Sequence, residues 1–281
     1  MIQKEKWRET IDPFSLPYRK FKLTEILGYA HAGNDVFYAK GIYKEECIKV
    51  FIKVEKQEGA DIVNEVKILK QLPVQNIPQV IEYGIGNINY IITKEAIGER
   101  LSTIVNENKN FESIRYMETY GETLANFHML NIEADPVKDR RFFNLPSHEY
   151  FEKYELESLE EYLLKHQPNH TNTCFVHGDF HYANILWKHN NISCILDYEL
   201  SGYGIKEFDI AWAIFLRPSQ KFLKTTKEIN CFLEGYLKIQ DFNRTAFKYY
   251  YILIASYFYS MGDVQYRKSV LHLVHELICG M

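Results

Sequence analysis

The sequence predicts an α+β fold in two unequal lobes: a small antiparallel β-rich lobe over residues 1–95 and a larger, mainly helical lobe over 96–281. Three observations carry this. Short segments rich in β-branched and aromatic residues alternate with turn residues through the first third of the chain. After Gly98 the apolar residues recur at helical spacing. The stretch Thr93–Leu101, between the two patterns, reads as the linker.

Taken in order, Phe21–Leu27 reads as a strand, Gly28–Asp35 as a turn-like stretch, and Val36–Ala39 and Cys47–Val54 as two further strands of a meander. Residues Ala60–Leu72 read as a helix, with Ile62, Val63, Val66, Ile68 and Leu69 clustered on one side. Pro73 and Pro78 punctuate the stretch after this helix. Val80–Tyr83 and Ile88–Thr93 then form a strand pair around the Gly84–Gly86 turn. In the second lobe Tyr116–Leu130 has amphipathic spacing. His148–His166 reads as one acidic helix that Pro168 ends, and helical patterns dominate from Phe222 onward. Tyr249–Tyr259 is too short and too tyrosine-rich to span a bilayer, and reads as a buried C-terminal helix.

Composition narrows the function. With 46% hydrophobic and 25% charged residues the chain is globular, not disordered. Its net charge of −4 gives no support to phosphate-backbone binding, so no nucleic-acid partner is expected. Residues 1–95 carry 14 basic and 13 acidic side chains; residues 96–281 carry 19 and 24. The five cysteines form no C-x-x-C pair and read as reduced thiols of a cytoplasmic protein. The first residues, with Lys4, Glu5, Lys6 and Arg8, have no apolar leader core, and no membrane partner is expected.

The chemistry concentrates in Phe175–Trp187, which reads FVHGDFHYANILW, and in Cys194–Glu199, which reads CILDYE. Apolar runs flank a polar loop that holds Asp179 and, five residues on, Asn184, and a second apolar strand delivers Asp197 at its end, a way to set oxygen groups on two adjacent hairpin strands. Carboxylate and amide oxygens suit a hard cation. The D-x-x-x-x-N spacing of Asp179 and Asn184 is that of a loop that orients a hydroxyl for phosphoryl transfer. Taken singly, each of these residues could equally be a turn or cap residue.

Residues 177–186 resemble the loop H-G-D-x-H-x-x-N-I-L of the aminoglycoside phosphotransferase and choline kinase family, whose fold is protein-kinase-like. The resemblance is strong over 175–212 and weak over 1–100. It implies Asp179 as catalytic base and Asn184 and Asp197 as Mg²⁺ ligands, with ATP as cofactor. His177 and His181 belong to the same loop. Glu199 would lie close to metal or acceptor, and Asp209, in EFDIAW, would brace the loop. In the first lobe the resemblance implies a strand lysine paired with a helix glutamate. Lys53 is preferred over Lys49, and Glu65 is its partner. It further implies Gly33 and Asn34 over the phosphates, and a hinge at Glu95, Ala96 and Ile97 whose backbone reads adenine.

Only a short segment separates Asp197 from Asp209, with no A-P-E platform for a peptide, so a small-molecule acceptor is expected. The acidic residues Glu149, Glu152, Glu155, Glu157, Glu160 and Glu161 suggest that it is cationic, although most of them read as a solvated helix face. Tyr198, Tyr203 and Trp212 could offer cation–π faces, or be core. Two alternatives stay open: a catalytically idle, ligand-binding chain of the same fold, and a choline/ethanolamine kinase-type metabolic enzyme.

Overall fold

The computed structural model of the chain describes residues 11–32, 34–56, 59–107, 112–169 and 173–280. By their contacts they divide into two units, Met1–Gly98 with Ser193–Leu200, and Glu99–Ile192 with Ser201–Met281. The fold is α+β and protein-kinase-like, with an antiparallel sheet in the first unit and helices dominating the second.

The first unit is built on strands β1 (Phe21–Ala32), β2 (Asn34–Tyr43), β3 (Glu46–Val54), β4 (Val80–Gly84) and β5 (Tyr90–Lys94), in the sheet order β1-β2-β3-β5-β4. Val50, Ile52 and Val54 of β3 fall on one face and are buried with Phe37, Ala39, Tyr90 and Ile92, while Lys49, Phe51 and Lys53 fall on the other. Gly28–Asp35 is not a turn: the ladder runs Gly28↔Tyr38 through Ala32↔Asn34, so β1 and β2 continue almost to the hairpin tip. Tyr29 packs on Phe37 within this extension (centroids 5.1 Å apart), so side-chain packing overrides the glycine signal.

Helix α1 (Ile62–Leu69) is shorter than its apolar pattern. Asp61 caps it, accepting from the Asn64 N–H at 2.8 Å. Ile62, Glu65, Val66 and Leu69 share the buried face by 3.6-residue spacing, while Val63 is exposed. Glu82 on β4 fixes the segment leading into β1. Its carboxylate accepts from the Arg19, Lys20 and Phe21 N–H groups at 2.7–2.8 Å and from the Tyr90 hydroxyl at 3.0 Å. Burial pushes the Glu82 carboxyl up, and these hydrogen bonds more than reverse it, so it sits below its ordinary value.

The second unit contains β6 (Glu99–Arg100), α2 (Leu101–Glu107), α3 (Ile114–His128), α4 (His148–Lys153), α5 (Glu157–Lys165), β7 (Cys174–Val176) and β8 (Ile185–Lys188). After β9 (Asn191–Ile195), which runs on into the first unit, come β10 (Gly202–Gly204), α6 (Lys206–Ile214), α7 (Thr226–Leu237), α8 (Arg244–Tyr259) and α9 (Val264–Gly280). Helices α3 and α7 touch backbone to backbone: a Cβ on Gly121 would stand 2.0 Å from the Phe232 carbonyl, and one on Gly235 2.2 Å from that of Glu118. Helix α8 is buried along most of its length, but α9 follows it, so it is not the C-terminal helix.

The acidic stretch 148–166 is two helices, not one. Glu155 takes a left-handed conformation (φ 56°), the Leu156 N–H returns to the Phe151 carbonyl at 2.9 Å, and the buried Leu156 and Phe151 flank the bend. This is a Schellman ending without its usual glycine. Among the described residues, no helix is long and apolar enough to cross a membrane.

Candidate active site

In the first unit, the Lys53 ammonium lies 2.9 Å from Glu65, 2.7 Å from Asp197 and 3.1 Å from Glu199. Strand β3 delivers Lys53 on the face away from the apolar core, and α1 delivers Glu65. The short run after β9 delivers both acids two residues apart, with Asp197 in a left-handed conformation (φ 68°) that a non-glycine residue rarely takes. The side chains are mostly sequestered, 15% exposed for Lys53 and 6% for Glu65. Burial alone would lower the Lys53 ammonium, but the carboxylates Glu65, Asp197 and Glu199 hold it well above its usual range. Burial raises the carboxyls of Glu65 and Glu199, and Lys53 opposes this.

Asn34 is tied to the same cluster. Its amide donates to Glu199 Oε2 at 2.9 Å, and its oxygen accepts from the Lys56 N–H at 3.2 Å. Gly33, the neighbouring phosphate-loop candidate, lies outside the described residues. Lys49 stands apart from the cluster, 5.7 Å from the Tyr38 ring centroid. Glu95, Ala96 and Ile97 follow β5 as irregular backbone: the Glu95 N–H is taken by the Lys49 carbonyl at 3.0 Å, and Ile97 is 71% exposed.

The second unit holds the His177–Asn184 loop, between β7 and β8. Asp209, near the start of α6, accepts from the His177 N–H at 2.9 Å on one oxygen and from the Gly178 N–H at 3.0 Å on the other. His128 reaches the same carboxylate at 3.1 Å and is itself held by the Tyr236 hydroxyl at 2.8 Å. The Ser201 hydroxyl donates to the His177 carbonyl at 2.8 Å. These contacts set the turn at Gly178 (φ 79°), after which Asp179 emerges with its side chain 20% exposed.

Both Asp179 oxygens are occupied. Oδ1 accepts from Trp212 Nε1–H at 2.7 Å and Oδ2 from the Asn184 amide at 2.9 Å. His181 Nδ1 accepts from the Ala183 N–H at 3.4 Å, which puts its ring proton on Nε2, 3.4 Å from Asp179 Oδ2. Burial would raise the Asp179 carboxyl, but His181, then Arg217 and His177, bring it down to about 2. It is therefore an anion across the neutral range.

The hydrogen bonds of Asn184 to Asp179 use only its nitrogen, which leaves the amide oxygen as an acceptor. In the first unit, oxygens of Glu65, Asp197 and Glu199 lie within 4.8 Å of one another. Such oxygen groups are of the kind a hard cation such as Mg²⁺ takes, and the cation now among the three carboxylates is the Lys53 ammonium. Asp179 sits in the bend after β7, Asn184 at the end of a short 3-10 turn that leads into β8, and Asp197 in irregular backbone after β9.

Sequence reasoning misses several members. Arg140, whose guanidinium donates to the Gly178 carbonyl at 2.6 Å, comes from a segment with no motif. Arg217 is buried beside Trp212, and His128 anchors Asp209 from α3. Trp212 reads in the sequence as a ring face or core, yet its N–H is what reaches Asp179. Its place three residues after Asp209 on a helix is the available signal. Tyr198 is fully buried, hence core. Within the acidic run, Glu152 and Glu160 flank His148 at 3.4 and 2.8 Å.

Comparison with known proteins adds to this geometry. The sequence profile of the group described as "Phosphotransferase enzyme family" matches residues 46–242, more than half of the chain. Among solved structures, a spectinomycin phosphotransferase in complex with ADP and spectinomycin is 13% identical over 94% of each chain, with a TM-score of 0.57. A thermostable mutant of the aminoglycoside phosphotransferase APH(4)-Ia, in ternary complex with AMP-PNP and hygromycin B, is 11% identical. It covers 92% of this chain and 96% of its own, with a TM-score of 0.63. Choline kinase from Cryptosporidium parvum Iowa II is 14% identical over 98% and 93%, with a TM-score of 0.53. At these identities the likeness is one of fold. No curated protein matches the sequence.

Proposed function

The chain belongs to the phosphotransferase enzyme family, and from that premise we propose that it is an ATP-dependent kinase. It would transfer the γ-phosphoryl group to a hydroxyl of a small, cationic molecule. The observation that carries this is Asp179: an ionised carboxylate at the tip of a braced loop, held on both oxygens.

In this reading the acceptor oxygen attacks the γ-phosphorus, and the bond from that phosphorus to the β–γ bridging oxygen breaks to release ADP. The hydroxyl proton leaves through Asp179. A carboxylate this weakly basic orients the hydroxyl first and takes its proton only as the oxygen becomes bonded to phosphorus. His177 and His181 hold the loop and the carboxylate, and Asp209 holds the loop backbone. Lys53, kept charged by its carboxylates, contacts the nucleotide phosphates, and Glu65 keeps it in place. Gly33 and Asn34 are assigned to the phosphates, and the backbone of Glu95, Ala96 and Ile97 to adenine. Asn184 and Asp197 would hold Mg²⁺, which when bound would neutralise phosphate charge, and Glu199 would lie close to it. The first unit is then the nucleotide-binding lobe and the second the catalytic, acceptor-binding lobe. The acidic surplus of residues 96–281 supports a cationic acceptor. A cytoplasmic enzyme acting on soluble metabolites or antibiotics fits this picture.

The test is ADP release from MgATP over a panel of aminoglycosides, choline and ethanolamine. The expected result is a strong response to one cationic class. If MgATP raises the melting temperature but no acceptor draws ADP release above the acceptor-free rate, the chain is a binding protein and the proposal fails.

A further inference from the structure

Trp212 lies on the buried side of α6, 6% exposed, and spends its one polar group on Asp179 Oδ1 at 2.7 Å. The opposite oxygen is held by Asn184. The terminal torsion of an aspartate is soft, so the carboxylate plane is fixed only while both oxygens have their donors. Trp212 is itself held tightly. The guanidinium of Arg217 stands 4.9 Å from its ring centroid and that of Arg140 5.4 Å. Arg217 also donates to the Trp212 carbonyl at 3.0 Å, and Phe142 and Phe208 pack on the ring at 5.0 and 5.7 Å. Cations over an indole draw density from the ring and make its N–H a better donor. Space-filling alone requires none of this. Trp187, more deeply buried still, has an indole N–H with no partner among the described residues.

We propose that Trp212 is a positioning residue for Asp179, its indole N–H fixing the carboxylate in the rotation that meets the acceptor hydroxyl. This rests on the role of Asp179 given above. Removing the N–H while keeping the ring frees the carboxylate to turn, which slows transfer and leaves nucleotide binding alone.

Two measurements decide it, with MgATP as donor and, as acceptor, water or the compound of the panel that draws ADP release. In Trp212→Phe, and in a chain carrying the isosteric benzothienyl side chain at 212, kcat for ADP release should fall about 10- to 100-fold. KM for ATP should stay within about twofold. Separately, with ¹⁵N-labelled tryptophan, the Trp212 indole N–H resonance should lie downfield and move on Asp179→Ala. The isostere keeps the packing, so a misfolded phenylalanine variant does not blur the outcome. Wild-type kcat in the isostere, or an indole resonance indifferent to Asp179→Ala, overturns the proposal. A wild-type chain that releases ADP neither with water nor with any acceptor of the panel overturns the kinase reading instead, and the resonance alone then decides whether Trp212 sets the carboxylate.

Discussion

At the scale of single residues, the cluster around Lys53 gathers three acids on one ammonium, which stands within 3.1 Å of Glu65, Asp197 and Glu199. Replacing Lys53 by Met leaves mutually repelling, mostly sequestered carboxylates. Urea unfolding should show a loss of roughly 2–4 kcal/mol. Adding Glu65→Gln should recover part of it, so that the double variant loses less than the two single losses together. Asp179 makes a second prediction at this scale. Its carboxyl is held at about 2 against an ordinary value of 3.8, so it stabilises the fold at neutral pH by roughly 2 kcal/mol. Because the folded value is the lower one, that contribution is complete above the unfolded value and disappears as pH falls from about 4 towards 2. The stability difference between wild type and Asp179→Asn should therefore shrink across that interval. The motif H-G-D-x-H-x-x-N makes Asp179 and Asn184 legible in the sequence. Arg140 and Arg217 are not, since each joins the loop through tertiary packing from a segment whose own pattern says nothing.

Among the elements, legibility follows periodicity and fails where a backbone conformation departs from its usual residue. The strands of the first unit are readable from alternation, yet the hairpin of β1 and β2 reads too short because Gly28 and Gly33 look like a turn. The pairing of Tyr29 with Phe37 carries it further. The break between α4 and α5 is invisible because the left-handed position is filled by Glu155, not by glycine. Glycine does matter where α3 meets α7. Gly121→Ala should drive a methyl into the Phe232 carbonyl and cost about 1–3 kcal/mol by denaturant titration, more than alanine's helix propensity returns. In the first unit, Glu82→Gln should weaken the anchoring of residues 19–21. Its carboxyl is lower folded than unfolded, so the difference from wild type is fullest above the usual carboxylate range and is lost on acidification.

For the whole chain, the α+β class is readable from the order of the two patterns, but one feature is not. Residues Ser193–Leu200 return from the second part of the chain to pack within the first unit, which is how Asp197 and Glu199 come to surround Lys53. Neither composition nor spacing marks such a return. The charge surplus of residues 96–281 belongs to this scale too: an acceptor held by it should bind more weakly as salt rises from about 0.05 to about 0.5 M. The claim at the centre, that Asp179 orients the acceptor hydroxyl for phosphoryl transfer from ATP, is tested most directly by Asp179→Ala. With the acceptor that the panel identifies, ADP release should fall by at least about 100-fold, while MgATP still raises the melting temperature as in wild type. Turnover at the wild-type rate in that variant would contradict the account.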